Sequence, residues 1–161
     1  FKSPNFNKRN SSNIIFIIIH YTALDNYTES ISYLCNKKNK VSSHFLISQK
    51  GLIYSLVNEK KRAWHAGQSY WKDYTDLNSL SIGIELDYSK NKLNNKFSKE
   101  MITSLKILLN YLTKKYKIDK KNILAHSDIS PFRKIDPGAE FPWKKLYSSN
   151  LVYMPKNEKK S

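Results

Sequence analysis

The chain has 161 residues, enough for one domain with a single core, and its 40% hydrophobic content argues against intrinsic disorder. Its longest apolar run, residues 14–19, falls far short of the roughly 18 residues that a membrane-spanning helix needs. The lone cysteine, Cys35, excludes an internal disulfide and a multi-cysteine zinc site.

Residues 1–12 are polar, contain Pro4 and read as an arm laid over the surface. Residues 14–19 are apolar without interruption and rich in isoleucine, the pattern of a central strand buried on both faces. After His20, the segment Asp25-Asn26-Tyr27-Thr28 supplies a cap for a helix over roughly 28–37, in which Cys35 is partly buried filler. "HFLIS", "QKG" and "LIYSLV" read as a hairpin turning at Gly51. Residues 58–79, with Trp64, Tyr70, Trp71 and Tyr74, make a long connection of the kind that carries function.

"LSIGIEL" (80–86) is a second short apolar strand. Ser98 caps a helix over 99–116, whose apolar stripe is Ile102, Leu105, Leu108, Leu109, Leu112 and Tyr116. "NILAH" brings in a last strand, and a loop rich in Pro and Gly follows over 127–140. Residues 156–161 read as a solvated tail. The order strand, helix, hairpin, strand, helix, strand predicts a single-domain α/β fold with a central mixed sheet flanked by helices.

The net charge of +15 raises the question of nucleic acid. The charge is almost all lysine, with arginine only at Arg9, Arg62 and Arg133, whereas phosphate and base-edge recognition favours arginine. The lysines are scattered among Asn, Ile and Tyr, as codon drift in an AT-rich genome would leave them. A generally cationic surface, or attraction to an anionic polymer such as cell wall, fits better than a nucleic-acid partner.

Four histidines are present, and two of them end apolar strands: His20 after residues 14–19, and His126 after Leu124-Ala125. Sites in α/β sheets gather at the carboxyl ends of strands, so the two can face one pocket. Each alone reads equally as a hydrogen-bonded structural histidine. Asp136, ten positions after His126, adds a carboxylate. Two imidazoles, one carboxylate and an open position make a catalytic rather than a structural zinc set. The competing reading of Asp136 is a plain Asp-Pro-Gly turn.

Glu85 stands in an apolar strand whose alternation puts Ile82, Ile84 and Leu86 on one face and Gly83 and Glu85 on the other. That second face is either solvent or the pocket. In the pocket, Glu85 would take a proton from a water molecule. Lys134, two residues before Asp136, shares its side of an alternating loop and offers a cation for a developing oxyanion.

"IIIHYTA" (17–23), "VSSHFLIS" (41–48), "AWHAGQSYW" (63–71), "LNSLSIGIEL" (77–86) and "AHSDISPFRKIDPG" (125–138), in this order, resemble the zinc-dependent N-acetylmuramoyl-L-alanine amidases of the AmpD/AmiD type. That family is related to peptidoglycan recognition proteins and phage amidases. The resemblance implies one zinc ion on His20, His126 and Asp136, with Glu85 as general base and Lys134 as transition-state stabiliser. It implies a hydrolase acting on peptidoglycan or muropeptides at the amide between the lactyl group of N-acetylmuramic acid and L-alanine. It further implies one amidase domain over 1–161, with its catalytic core at 13–147. His44 matches a family strand position that is not a ligand and reads as a packed residue behind the metal. Trp64 and His65 resemble the cleft wall and are expected to touch stem peptide or sugar. Asn78 either touches ligand or supports that loop.

Asp76 stands where recycling enzymes selective for anhydromuropeptides carry a basic residue. The AmiD pattern is the nearer one, implying an enzyme of the bacterial cell envelope or periplasm that tolerates anhydro and ordinary muramyl ends. A start at Phe1 reads as processing or trimming and leaves the compartment open. The rival function is a non-catalytic peptidoglycan-binding module of the same fold, which would lack a ligand. The oligomeric state is not written in the sequence.

Overall fold

A computed structural model describes residues 1–155, so the expected tail at 156–161 lies outside the described residues. Five strands form the central sheet in the order β4-β3-β6-β2-β7: β2 (Phe16–Tyr21), β3 (Phe45–Ile47), β4 (Ile53–Ser55), β6 (Ser81–Leu86) and β7 (Ile123–Ala125). β3, β6, β2 and β7 run parallel, and β4 is antiparallel to β3. The sheet is therefore mixed, as expected. The β3–β4 hairpin turns through Gly51 at φ +76°, where a Cβ would sit 2.8 Å from the Glu100 carbonyl oxygen.

The two faces of the sheet are covered differently, and that difference places the site. Ile17 and Ile19 of β2 and Ile82, Ile84 and Leu86 of β6 pack against α3 (Lys99–Tyr116). Met101, Ile102, Leu105, Leu108, Leu109 and Leu112 of α3 are buried there, each contributing about 1.5–3 kcal/mol. The Ser98 side chain accepts from the Met101 N–H and caps this helix as expected. The opposite face carries Phe16 and Ile18 beneath a thinner cover from α2 (Leu77–Leu80) and α4 (His126–Ile129). There α1 (Tyr27–Leu34) also packs, through Ile31 and Leu34, on Leu46.

Four boundaries differ from the sequence reading. β2 starts at Phe16 and ends at Tyr21, two residues later than residues 14–19, because its ladder with β6 opens at Phe16↔Ser81. α1 ends at Leu34 instead of near residue 37, since the Asn36 side chain accepts from the Lys38 N–H and starts a separate turn. The 58–79 connection contains β5 (Lys61–Ala63) and opens α2, and the 127–140 loop begins with the single turn α4. A further helix, α5 (Trp143–Ser148), buries Leu146 in the α3 core.

The amino-terminal arm is more firmly held than its polar sequence indicates. It lies on the surface, with Phe6, Asn7 and Lys8 exposed, but is stitched down: β1 (Phe6–Lys8) pairs antiparallel with β5, Phe6 opposite Ala63. Asn5 Nδ2 donates to the carbonyls of Asn36 and Val41, each at 2.9 Å. Arg9, only 8% exposed, donates to the carbonyls of Glu59, Asn78, Ser79 and Ser81. The arm is anchored by polar groups that find distant backbone partners, so apolar periodicity could not report it.

Candidate metal and catalytic site

β2, β6 and β7 bring their carboxyl ends to one place. On β2, Phe16, Ile18 and His20 follow one another on the thinly covered face, and the register sets His20 opposite Glu85 and Ile18 opposite Gly83. β7 lies beside β2 and runs directly into His126, the first residue of α4. The loop after α4 returns so that the Ser127 N–H donates to the Asp136 carbonyl at 3.0 Å. That bond draws the Asp136 end of the loop back to His126.

The result is a triangle of donor atoms. His20 Nδ1 is 3.0 Å from His126 Nδ1 and 3.2 Å from Asp136 Oδ2, and His126 Nδ1 is 3.0 Å from the same oxygen. Three ligands about 2.0–2.1 Å from one tetrahedral ion stand roughly 3.3 Å apart, so these edges match a zinc-sized cation. All three residues are buried. His126 Nε2 lies 3.0 Å from the Ala66 carbonyl, which only accepts, so Nε2 carries the proton and Nδ1 presents a bare lone pair. Burial, as the largest cause, and the neighbouring His126 pull the His20 pKa down to about 4, which keeps its imidazole neutral as a ligand must be. Two lone pairs and a carboxylate held this close repel one another unless a cation or a proton sits among them. The donor set therefore fits the group that the sequence implies.

Glu85 faces the same cavity, a space of about 700 Å³ lined by His20, Glu85, His126, Lys134 and Asp136 among others. Burial pushes its carboxyl up to about 8, with the negative Asp136 adding to the rise and Lys134 opposing it. Its Oε2 is buried with no hydrogen-bond partner among the described residues. Such an orphan oxygen is costly in a finished core and is explained where a ligand or water will meet it. Thr22 Oγ1 is a second buried, unpartnered atom on this lining, and the sequence reading did not single it out.

The remaining expected residues divide. Trp64 lines the cavity, with its Nε1 donating to Asn7 Oδ1 at 2.9 Å. Asn78 lines the cavity and also supports the loop, its Oδ1 accepting from the backbone N–H groups of His65 and Ala66 at 3.0 and 2.8 Å. His44 packs behind the site: its Nδ1 accepts from the Gly83 N–H and its Nε2 lies 2.9 Å from the Lys61 carbonyl. His65 also borders the cavity, but it is only 8% exposed, and both ring nitrogens meet protein atoms instead of open space. Asp76 caps α2 and pairs with Arg62 at 2.9 Å.

The chain matches the family described as N-acetylmuramoyl-L-alanine amidase over residues 10–139. It is 39% identical to the N-acetylmuramoyl-L-alanine amidase AmiD of Escherichia coli over 152 residues, 86% of this chain but 54% of that protein. It is 36% identical to the 1,6-anhydro-N-acetylmuramyl-L-alanine amidase AmpD of Haemophilus influenzae over 167 residues, 92% of this chain and 89% of that one. The chain thus spans about half the length of AmiD and most of the length of this AmpD. Among solved structures, E. coli AmiD in complex with the substrate anhydro-N-acetylmuramic acid-L-Ala-D-gamma-Glu-L-Lys superposes with a TM-score of 0.82 at 36% identity, covering 94% of this chain and 63% of that one. With the sheet, the converging donor triangle and these likenesses in agreement, the chain belongs to the N-acetylmuramoyl-L-alanine amidase family.

Proposed function

We propose that the chain hydrolyses the amide between the lactyl group of N-acetylmuramic acid and L-alanine in peptidoglycan or muropeptides, using one zinc ion held by His20, His126 and Asp136. The observation that carries this reading is the donor triangle, with edges of 3.0–3.2 Å, beside the unpartnered Glu85 carboxyl. When bound, zinc supplies Lewis acidity that polarises the amide carbonyl and acidifies water.

The chain's own residues do the rest. Glu85 Oε2 takes the proton of the attacking water and returns it to the departing L-alanine nitrogen. Lys134, on the lining of the same cavity, adds a positive charge for the carbonyl oxygen as it becomes anionic. His20, His126 and Asp136 hold a rigid geometry, so no reorganisation is needed as charge develops. Trp64 gives the cleft an apolar wall for sugar or peptide.

An AmiD-like range, covering anhydro and ordinary muramyl ends, follows from Asp76: its carboxylate is committed to Arg62 and the α2 cap, and no basic side chain occupies that position. A cell-envelope location goes with that branch, as does the cationic surface for an anionic wall. Among the described residues, no helix is long and apolar enough to cross a membrane.

Mass spectrometry of products from intact sacculi and from anhydromuropeptides tests the bond cleaved, the metal dependence and the substrate range. Free stem peptide from both substrates, lost on chelation and restored by zinc, is the expected result. Binding of muropeptide without release of peptide would instead make the chain a binding module. Release from anhydromuropeptides alone would reject the wider range.

A further inference from the structure

We propose that His65 is a positioning residue that fixes the tautomer and ring orientation of His20, so that the His65-Ala66 dipeptide orients both imidazoles of the triangle. The inference rests on reading His20, His126 and Asp136 as a metal site.

The proton chain can be followed from its far end. Ser81 Oγ lies 2.5 Å from the Leu77 carbonyl, and a carbonyl only accepts, so the serine hydroxyl donates there. The same oxygen, 3.0 Å from His65 Nε2, is then left to accept, which places the His65 proton on Nε2. His65 Nδ1 is therefore bare and accepts from His20 Nε2–H across 2.9 Å. His20 in turn has its lone pair on Nδ1, the atom that faces His126 and Asp136. A ring nitrogen that points at a metal is set by the hydrogen bond its other nitrogen makes.

Neighbouring groups are arranged around this contact. The His65 ring lies against Gly83 of β6, where an added Cβ would come within 2.4 Å of His65 Cγ. Any larger residue at position 83 would displace the ring. Asn78 Oδ1 holds the backbone N–H groups of both His65 and Ala66. Ala66 completes the pair, since its carbonyl accepts from His126 Nε2 at 3.0 Å. His126 is thus oriented by backbone, whereas His20 is oriented by a side chain that substitution can remove.

Three variants at one position separate orientation from bulk. His65→Asn keeps an acceptor near the Nδ1 position, His65→Gln carries its amide out to the Nε2 position, and His65→Phe keeps the ring without an acceptor. Zinc affinity is measured by chelator competition, alongside the melting temperature of each metal-free protein. We expect His65→Asn to bind zinc close to wild type, and His65→Gln and His65→Phe to bind about 10–100-fold more weakly. Wild-type affinity in His65→Gln or His65→Phe would overturn the proposal. So would affinities that track metal-free stability irrespective of the acceptor. If His65→Phe does not fold, the contrast between Asn and Gln decides. Wild-type protein that takes up no zinc would remove the metal reading and this inference together, whereas tight wild-type binding insensitive to all three changes would remove this inference alone.

Discussion

Glu85 stands directly opposite His20 across the parallel β6–β2 ladder, so the candidate base and a candidate metal ligand are fixed on adjacent strands. Strand neighbours are about 4.8 Å apart and do not move independently. The relative position of the two groups therefore belongs to the sheet and not to a loop.

Glu85→Gln should retain zinc at wild-type stoichiometry and lose about 10²–10⁴-fold in turnover. Metal analysis and peptide release on the same preparation check this. Parental turnover in the variant would reject Glu85 as the base. Lys134→Ala should likewise keep its zinc while its rate falls, because lysine acts on charge that develops only during reaction.

His20→Ala and Asp136→Ala should each abolish stoichiometric zinc binding, since two remaining protein donors make a poor site. Adding zinc to metal-free wild type should raise its melting temperature; at 100 times the dissociation constant the gain is about 2.7 kcal/mol. Neither variant should show that rise. An undiminished shift in either would remove that residue from the ligand set.

In the metal-free protein the contribution of Glu85 to stability should fall as pH rises from about 4.5 towards 8, opposite in sign to that of the buried His20 and His44, whose pKa values burial lowers. Burial first, and the Asp136 charge second, push the folded Glu85 carboxyl from 4.5 to about 8. Across that window the folded state holds on Glu85 a proton that the unfolded state has released, so this group's contribution to stability falls with rising pH. Glu85→Gln removes the effect and should melt several degrees above wild type at pH 8, with the gap closing near pH 4.5. Paired melting curves read the result, and a gap that does not change with pH would refute it.

Arg9→Ala should destabilise the fold by about 3 kcal/mol in urea denaturation. The guanidinium serves the carbonyls of Glu59, Asn78, Ser79 and Ser81, and its loss leaves buried acceptors without donors. Burial already draws its pKa down to about 10, a shift that leaves it charged at neutral pH. A change under about 0.5 kcal/mol, the range of ordinary surface substitutions, would show that the arm is dispensable.

Much of this was written locally in the sequence. The α3 stripe, the Ser98 cap, the Gly51 hairpin and the alternation that turns Glu85 away from Ile82, Ile84 and Leu86 each depend on residues within one turn or one strand. His20, His126 and Asp136 were also legible, because two of them end apolar strands and the third follows in a constrained loop. Tertiary structure alone decided what His65 touches, that the arm is a strand, and that Gly83 makes room for an imidazole. Those facts depend on groups 16 to 72 residues apart meeting through single hydrogen bonds or a close approach. Such contacts leave no periodicity along the chain. Hydrophobic pattern reports which face is buried, whereas polar partnership appears only once the backbone has closed.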